Sequence, residues 1–310
     1  MTFLGLDVGG SQCRFEWWPA GQRAGGDAGS VQPAVQGIEV ACDGLAAALL
    51  QAAQVAMPTA AVCALAGVGD RATSDALVVG LRARGIPFPV AVVGDVLAAA
   101  AAALADGVGI LLWAGTGSFA IARGADGELH RTGGRGYLLS DQGSGYDLVR
   151  RAAAAVLLAL DGLGPATTLA EVLTNAFAAP SPARLGAVLQ RLSPGDVAAK
   201  LPLVLATAAS GDAVAQDVVE QGVDALVGLA LAAARQAGIE LAGLPVACGG
   251  GVLTAAVAVQ SRLQQRLQAL GAGSVRLIAP RAAATAAAWL AHGMHTGEQP
   301  AARWVARVAI

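Results

Sequence analysis

The chain has 310 residues, 55% of them hydrophobic and 14% charged, with a net charge of −2. That length accommodates two domains of ordinary size and a substantial core. So small a net charge leaves no electrostatic footprint for nucleic acid, and a DNA or RNA binder working through a basic patch is excluded as a reading.

The uncharged apolar run over residues 107–122 is interrupted by Gly115-Thr116-Gly117-Ser118 and is shorter than a spanning helix needs, so no membrane association is expected. The N-terminus has neither a basic start nor a cleavage site. Cys13, Cys42, Cys63 and Cys248 form no C-x-x-C pair and stand apart from His130, His292 and His295. These features predict a cytoplasmic protein with reduced, buried thiols and no zinc or iron–sulfur centre.

Phe3, Leu4 and Leu6 lead an apolar strand into Asp7, and Gly9-Gly10-Ser11 turns the chain. In the leaving arm Cys13, Phe15 and Trp17 fall on one face and Arg14 and Glu16 on the other, the period of a half-buried strand. Bare backbone N–H groups at such a bend can converge on an anion, although an ordinary tight hairpin has the same sequence. Residues 21–37 are polar and glycine-rich, a third short strand and a loop. Asp43 is expected to cap a helix over 43–54. A strand over 60–66 runs into Gly67-Val68-Gly69-Asp70, followed by a helix over 74–84, a strand over 89–93, Gly94-Asp95, and a helix over 96–104. Strands alternating with helices predict an α/β domain containing parallel strands.

At Gly107 the pattern restarts. Residues 110–113 form an apolar strand, 115–118 a glycine bend and 119–122 a leaving strand, and Asp126-Gly127 turns the chain into 128–131. Strand, glycine bend, strand, turn, strand thus occurs twice, which predicts two domains of related build. Two such bends could clamp a polyphosphate from both sides. A loop over 133–145 leads into a long helix over 144–160, and 167–238 is mostly helical. A strand over 244–248 precedes Gly249-Gly250-Gly251, which opens a helix to Leu270, and a strand over 275–278 precedes a helix over 281–292. The resulting division is 1–106, then 107–292 with a helical insertion, then a tail over 293–310 that reads as a free end or an element returning to the N-terminal domain.

The run Gly115 to Ala120 fits a loose G-x-G-x-x-A dinucleotide fingerprint, but strands follow where that fingerprint needs a helix, so a dinucleotide fold is rejected. No P-loop and no G-x-S-x-G elbow is present. Gly249 to Gly251 suit either a flexible turn or a flat backbone surface for a nucleoside. Asp95 ends a strand and opens a helix: it is either a structural cap or a carboxylate placed where open α/β sheets hold ligands, able to take a proton from a hydroxyl. Asp141, in Ser140-Asp141-Gln142-Gly143-Ser144, carries the same two readings. Arg14 is a phosphate contact or a solvated strand residue, and the histidines are assigned no chemistry.

Taken together, these motifs resemble the sugar kinase/Hsp70/actin superfamily, and within it the N-acetylglucosamine kinase and BadF-type ATPase family. The likeness spans about Leu4 to Trp289. Asp7 to Arg14 resembles the first phosphate motif, Leu65 to Gly69 the connecting motif, Gly115 to Ser118 the second phosphate motif, Gly133 to Ser144 the sugar segment, and Ala247 to Val252 the adenosine motif. The resemblance implies an α/β fold of two actin-like (ribonuclease H-like) domains with a nucleotide cleft between them. It also implies ATP and Mg²⁺ as cofactors and phosphorylation of an amino sugar, N-acetylglucosamine or glucosamine, at the 6-hydroxyl, in a homodimer. By the same resemblance Asp7 holds Mg²⁺ through water. Gly9, Gly10, Ser11, Arg14, Thr116, Gly117 and Ser118 meet the phosphates, and Gly249, Gly250 and Gly251 carry the adenosine. Asp95 is the general base, and Gln32, Gly115, Arg135 and Asp141 bind the acceptor.

The departures from the family pattern fall on the sugar side. Gly94 precedes Asp95 where relatives have Asn, Gln32 stands for a sugar-binding Asn, Arg135 for a tryptophan and Gln142 for a glutamate, and Phe119 follows the second glycine motif in place of Asn. Two rivals remain: an activator ATPase coupled to a partner reductase, whose bridging cysteines are not matched here, and a non-catalytic sensor of nucleotide or sugar.

Overall fold

The computed structural model describes residues 1–9, 13–21, 23–29, 31, 33–68, 70–104, 107–279 and 282–297. Two compact units result, one made of 1–105 with 278–310 and the other of 106–277.

The first unit carries a sheet of order β3-β2-β1-β4-β5, with β1 Phe3–Val8, β2 Cys13–Trp18, β3 Gly26–Ala28, β4 Ala60–Leu65 and β5 Val90–Gly94. β2 runs antiparallel to both β1 and β3, and β4 lies parallel to β1 and β5. Its helices are α1 Pro33–Gln36, α2 Ile38–Val55, α3 Arg71–Ala83 and α4 Asp95–Leu104. Among the described residues only α2 has the length and mean hydropathy (1.3) to suit a membrane crossing, yet it buries Leu45, Leu49 and Ala52 in this unit's core.

The second unit repeats the plan. β6 Gly109–Ala114, β7 Ser118–Arg123 and β8 Leu129–Gly133 form the antiparallel half, and β9 Pro245–Gly249 and β10 Ser274–Leu277 the parallel half, in the order β10-β9-β6-β7-β8. Read from the opposite edge, that order is the order of the first sheet. Between β8 and β9 lies the helical insertion: α5 Gly145–Leu160, α6 Leu169–Ala176, α7 Leu185–Leu189, α8 Pro194–Ala198, α9 Leu201–Ala209 and α10 Ala213–Gln236. Between β9 and β10 lie α11 Gly251–Ala255 and α12 Val257–Ala269. The single helix expected after Gly251 is broken at Ala256, whose backbone leaves the helical region.

Two expectations are corrected. Asp43 lies inside α2 and caps nothing: the buried stripe of Ala41, Cys42, Leu45 and Ala48 runs through it. Its carboxylate accepts from Arg84 Nε at 2.6 Å, and Glu39 accepts from the same guanidinium at 3.0 Å, which ties α3 to α2. The last helix, α13 Ala282–Thr296, was expected with the C-terminal domain and instead packs on β1, β2, β4 and α4 of the first unit. The reason is steric. A Cβ at Gly5 would strike the backbone of Ala284 and Ala288, so the helix sits directly on the bare strand, and Ala284, Ala287, Ala288 and Ala291 are fully buried there.

Candidate functional site

In the first unit, β1 delivers Asp7 to its carboxyl end, directly across the antiparallel pair from Arg14 on β2. Two strands away, β5 ends at Gly94 and Asp95 opens α4, where its Oδ1 accepts from the Val96 N–H at 2.9 Å. Asp7 is pushed up from 3.8 to about 6, first by burial and then by the Asp95 charge, against the pull of Arg14. Two carboxylates at the ends of parallel strands therefore share one field, and the Arg14 charge only partly offsets it at Asp7. Gly94 has a packing reason: a Cβ there would lie 2.7 Å from the Val68 carbonyl, so the side chain expected from relatives has no room. Gly9 ends the described part of the first bend; Gly10, Ser11 and Gln32 lie outside the described residues.

In the second unit the corresponding bend joins β6 to β7. The Gly115 N–H donates to Gly117 O and the Gly145 N–H to Gly115 O, both at 2.8 Å, so the bend is closed on itself and anchored on the start of α5. Ser118 is fully buried, and its hydroxyl donates to Gln142 O at 2.7 Å. Gly250, with φ of 89°, brings its backbone against Ala114, where a Cβ would collide with the strand's carbonyl; that approach sets β9's glycines beside the bend. Thr116 is exposed.

Asp141 abuts this bend: a Cβ on Gly117 would lie 2.6 Å from Asp141 Oδ2. Asp141 is only 7% exposed and holds the left-handed backbone (φ 62°) that side-chain-bearing residues rarely adopt, and its Oδ1 is buried with no protein partner. Burial raises its carboxyl above the ordinary value, while the Gly136 backbone and the Arg131 charge pull the other way and Asp147 adds to the rise. A strained, desolvated carboxylate with an idle oxygen is a place for a ligand's donor. The helix-capping role weighed for this residue falls to Ser144, whose hydroxyl accepts from the Asp147 N–H.

Arg131 was missed in the sequence. Its Nη2 donates to Gly134 O at 2.6 Å and its guanidinium lies 5.3 Å from the centre of the Phe119 ring, which stacks on Trp113 at 6.1 Å. Only its place opposite Ile121 on a strand edge could have signalled this. Arg135, in contrast, is exposed; its backbone N–H donates to Ser140 Oγ at 3.4 Å.

Beside the bend the second unit has an open pocket of about 710 Å³, lined among others by Thr116, Gly251, Val257, Pro202, Leu205 and Ala206. Its volume lies in the range of small-molecule pockets. The glycine triplet was legible in the sequence; the walls from α8 and α9 were not, because alanine-rich helices read as core. No group of three or more His, Cys, Asp or Glu capable of holding a metal occurs among the described residues.

Residues 4–291 match the BadF/BadG/BcrA/BcrD ATPase family. The chain belongs to this family. It is 32% identical over 190 residues to the glucosamine kinase GspK of Vibrio cholerae, covering 56% of this chain and 61% of that one. It is 33% identical over 110 residues to the N-acetylmuramic acid/N-acetylglucosamine kinase of Clostridium acetobutylicum, covering 35% and 36%. The matched stretches thus span under two thirds of either curated relative. A crystal structure from Chromobacterium violaceum, provisionally named as an N-acetylglucosamine kinase, superposes with a TM-score of 0.73 at 25% identity, covering 92% of this chain and 97% of that one. The family and this likeness agree with the two-domain actin-like fold and with nucleotide use.

Proposed function

We propose that the chain phosphorylates an amino sugar, N-acetylglucosamine or glucosamine, at the 6-hydroxyl, with ATP as donor and Asp95 as general base. The observation that carries this is the Asp7–Asp95 pair, two carboxylates at the ends of β1 and β5 on either side of β4, the first raised to about 6 by burial and then by the charge of the second. The kinase names of the relatives from Vibrio cholerae and Clostridium acetobutylicum support the same chemistry.

In this reading Asp95 accepts the proton of the attacking hydroxyl, an effect worth about 10²–10⁴ in rate. Asp141 orients the sugar by accepting from its hydroxyls through the idle Oδ1. Gly9, Gly10, Ser11, Arg14, Thr116 and Gly117 are assigned to the phosphates, and Gly249 to Gly251 with the cavity beside them to the adenosine. Ser118, expected among the phosphate contacts, is instead fully buried with its hydroxyl donating to Gln142 O, so it holds the bend rather than touching the ligand. Gly115, Gln32 and Arg135 remain assigned to the acceptor; Arg135's exposure leaves it a contact only at the rim.

A divalent cation fits the Asp7 field because burial and the Asp95 charge outweigh the pull of Arg14 on that carboxylate. With so few protein ligands, the fit is that of Mg²⁺, which binds through one or two carboxylates plus phosphates and water. Bound there, Mg²⁺ supplies charge neutralisation on the transferring phosphoryl group. The activator-ATPase rival is not favoured, since Cys13, Cys42, Cys63 and Cys248 are all buried.

The test is ADP release over a panel of hexoses and amino sugars, with the phosphorylated carbon assigned by NMR. Turnover of glucosamine or N-acetylglucosamine giving the 6-phosphate is expected. Absence of turnover on every sugar, or phosphate on another carbon, refutes the assignment.

A further inference from the structure

We propose that Ser118 is a positioning residue for Asp141: its hydroxyl holds the loop of the acceptor carboxylate against the glycine bend. The inference rests on the reading of Asp141 as the group that orients the sugar. Ser118 opens β7 opposite Ala114 and is followed by Phe119, Ala120, Ile121 and Ala122, all buried. Packing alone would be served by one more alanine there. A hydroxyl taken out of water costs stability unless it finds a partner, and this one finds it 24 residues away. It donates to Gln142 O at 2.7 Å, the carbonyl of the residue that follows Asp141.

Asp141 needs holding. Its φ of 62° lies in the left-handed region, and a residue with a side chain stays there only where its surroundings over-determine it. The Ser144 N–H donates to Asp141 O at 3.2 Å and the Gly145 N–H to Gly115 O at 2.8 Å, which fixes the end of the loop. The Gly143 N–H donates to the buried Asp147 carboxylate at 3.0 Å. The peptide unit between Gln142 and Gly143 is thus gripped at both ends, its carbonyl by Ser118 and its N–H by Asp147.

Gly117 limits motion on the other side. A Cβ there would lie 2.6 Å from Asp141 Oδ2, so the carboxylate already rests against the bend. The bend stops Asp141 from coming closer, and Ser118 stops its loop from moving away. The idle Oδ1 is thereby kept in one place for a sugar hydroxyl. Without the Ser118 hydroxyl, one end of the gripped peptide is released and Asp141 can relax toward ordinary backbone. One neutral hydrogen bond sets the size of the loss, about five- to tenfold. The bend keeps its own closure, the Gly115 N–H on Gly117 O at 2.8 Å, so the phosphate end should not feel the change.

The test is a double-mutant cycle of Ser118→Ala and Asp141→Asn. Kinetics are measured with glucosamine and with N-acetylglucosamine, and ADP affinity by calorimetry. Alanine suits a strand that already carries Ala120 and Ala122, and asparagine tolerates the left-handed backbone. Ser118→Ala is expected to raise the KM for sugar about five- to tenfold with ADP affinity unchanged. In the Asp141→Asn background it should cost less than about twofold more, since it acts through the missing carboxylate. Equal costs in both backgrounds, or a parallel loss of ADP affinity, overturn the inference. Amide exchange over residues 140–147, read by mass spectrometry without any ligand, separates this inference from the kinase reading. Faster exchange in Ser118→Ala is expected, and unchanged exchange overturns the inference. If no sugar is turned over, the kinase reading falls and the exchange alone decides whether Ser118 holds the Asp141 loop.

Discussion

Asp7 and Asp95 stand at the carboxyl ends of β1 and β5, and the charge of Asp95 adds to burial in lifting Asp7 from 3.8 to about 6. A carboxyl raised by folding binds more protons native than unfolded, so this group makes stability fall as pH climbs from about 4 to about 6. Above that window the ionised, half-buried Asp7 costs the fold at most about 3 kcal/mol. Asp7→Asn removes the cost. The variant is expected to melt higher than wild type near pH 7 without divalent cation, with the gain vanishing near pH 4. A gain that persists at pH 4, or none at pH 7, shows that the charge is not what Asp7 contributes.

Asp95→Asn leaves the start of α4 with a side chain that can still accept from Val96, while removing the proton acceptor. Turnover is expected to fall by at least about a hundredfold with nucleotide affinity little changed, the signature of an interaction made only on the way to the transition state. Steady-state kinetics and an independent ADP titration check it. Near-wild-type turnover takes Asp95 out of the base role.

The sheets were largely legible because each strand announces itself by period and each bend by glycine. The repeat of strand, bend, strand in 3–17 and 109–122 foretold two sheets of one topology. What chain order cannot tell is which sheet a uniformly apolar helix covers. α13 follows β10 yet lies on β1, because Gly5 alone lets an alanine-faced helix approach so closely. Asp43 misled for a related reason: a carboxylate before an apolar run looks like a cap until the stripe is seen to continue upstream to Ala41. The walls of the cavity lacked any chemical signature, and Arg131 shows its partners only once β7 and β8 are paired.

Arg131 bridges the Phe119 ring and the Gly134 carbonyl at the root of the loop that carries Asp141, and its charge opposes the burial that lifts Asp141. Arg131→Met keeps the stem and loses the charge and the donor. The KM for sugar is expected to rise about tenfold, the cost of one charge-assisted hydrogen bond, with nucleotide binding unchanged. The pH profile gives the separate signature. Asp141 must be ionised to accept from sugar hydroxyls. Without Arg131, and with Asp147 still adding its charge, the acid limb of kcat/KM moves to higher pH. Arg131→Lys, which restores the charge, moves it back. A limb that stays in place in Arg131→Met rules out the electrostatic role.

Ala206 lines the cavity from α9 while remaining exposed, so a larger side chain there points into open space and leaves the packed face of the helix alone. That face is built from Leu201, Val204 and Ala208. Ala206→Trp keeps an apolar residue in the helix at a propensity cost under about 0.7 kcal/mol, so the melting temperature should stay within a few degrees of wild type. The indole would occupy the volume assigned to the nucleobase. Affinity for ADP is expected to fall at least tenfold, about 1.4 kcal/mol, while a minimal ligand such as inorganic pyrophosphate, held through the bends alone, binds as before. Calorimetric titration of both ligands separates the cases. Equal loss of both would mean a general disturbance of the second unit, and unchanged ADP affinity would move the nucleoside out of this cavity.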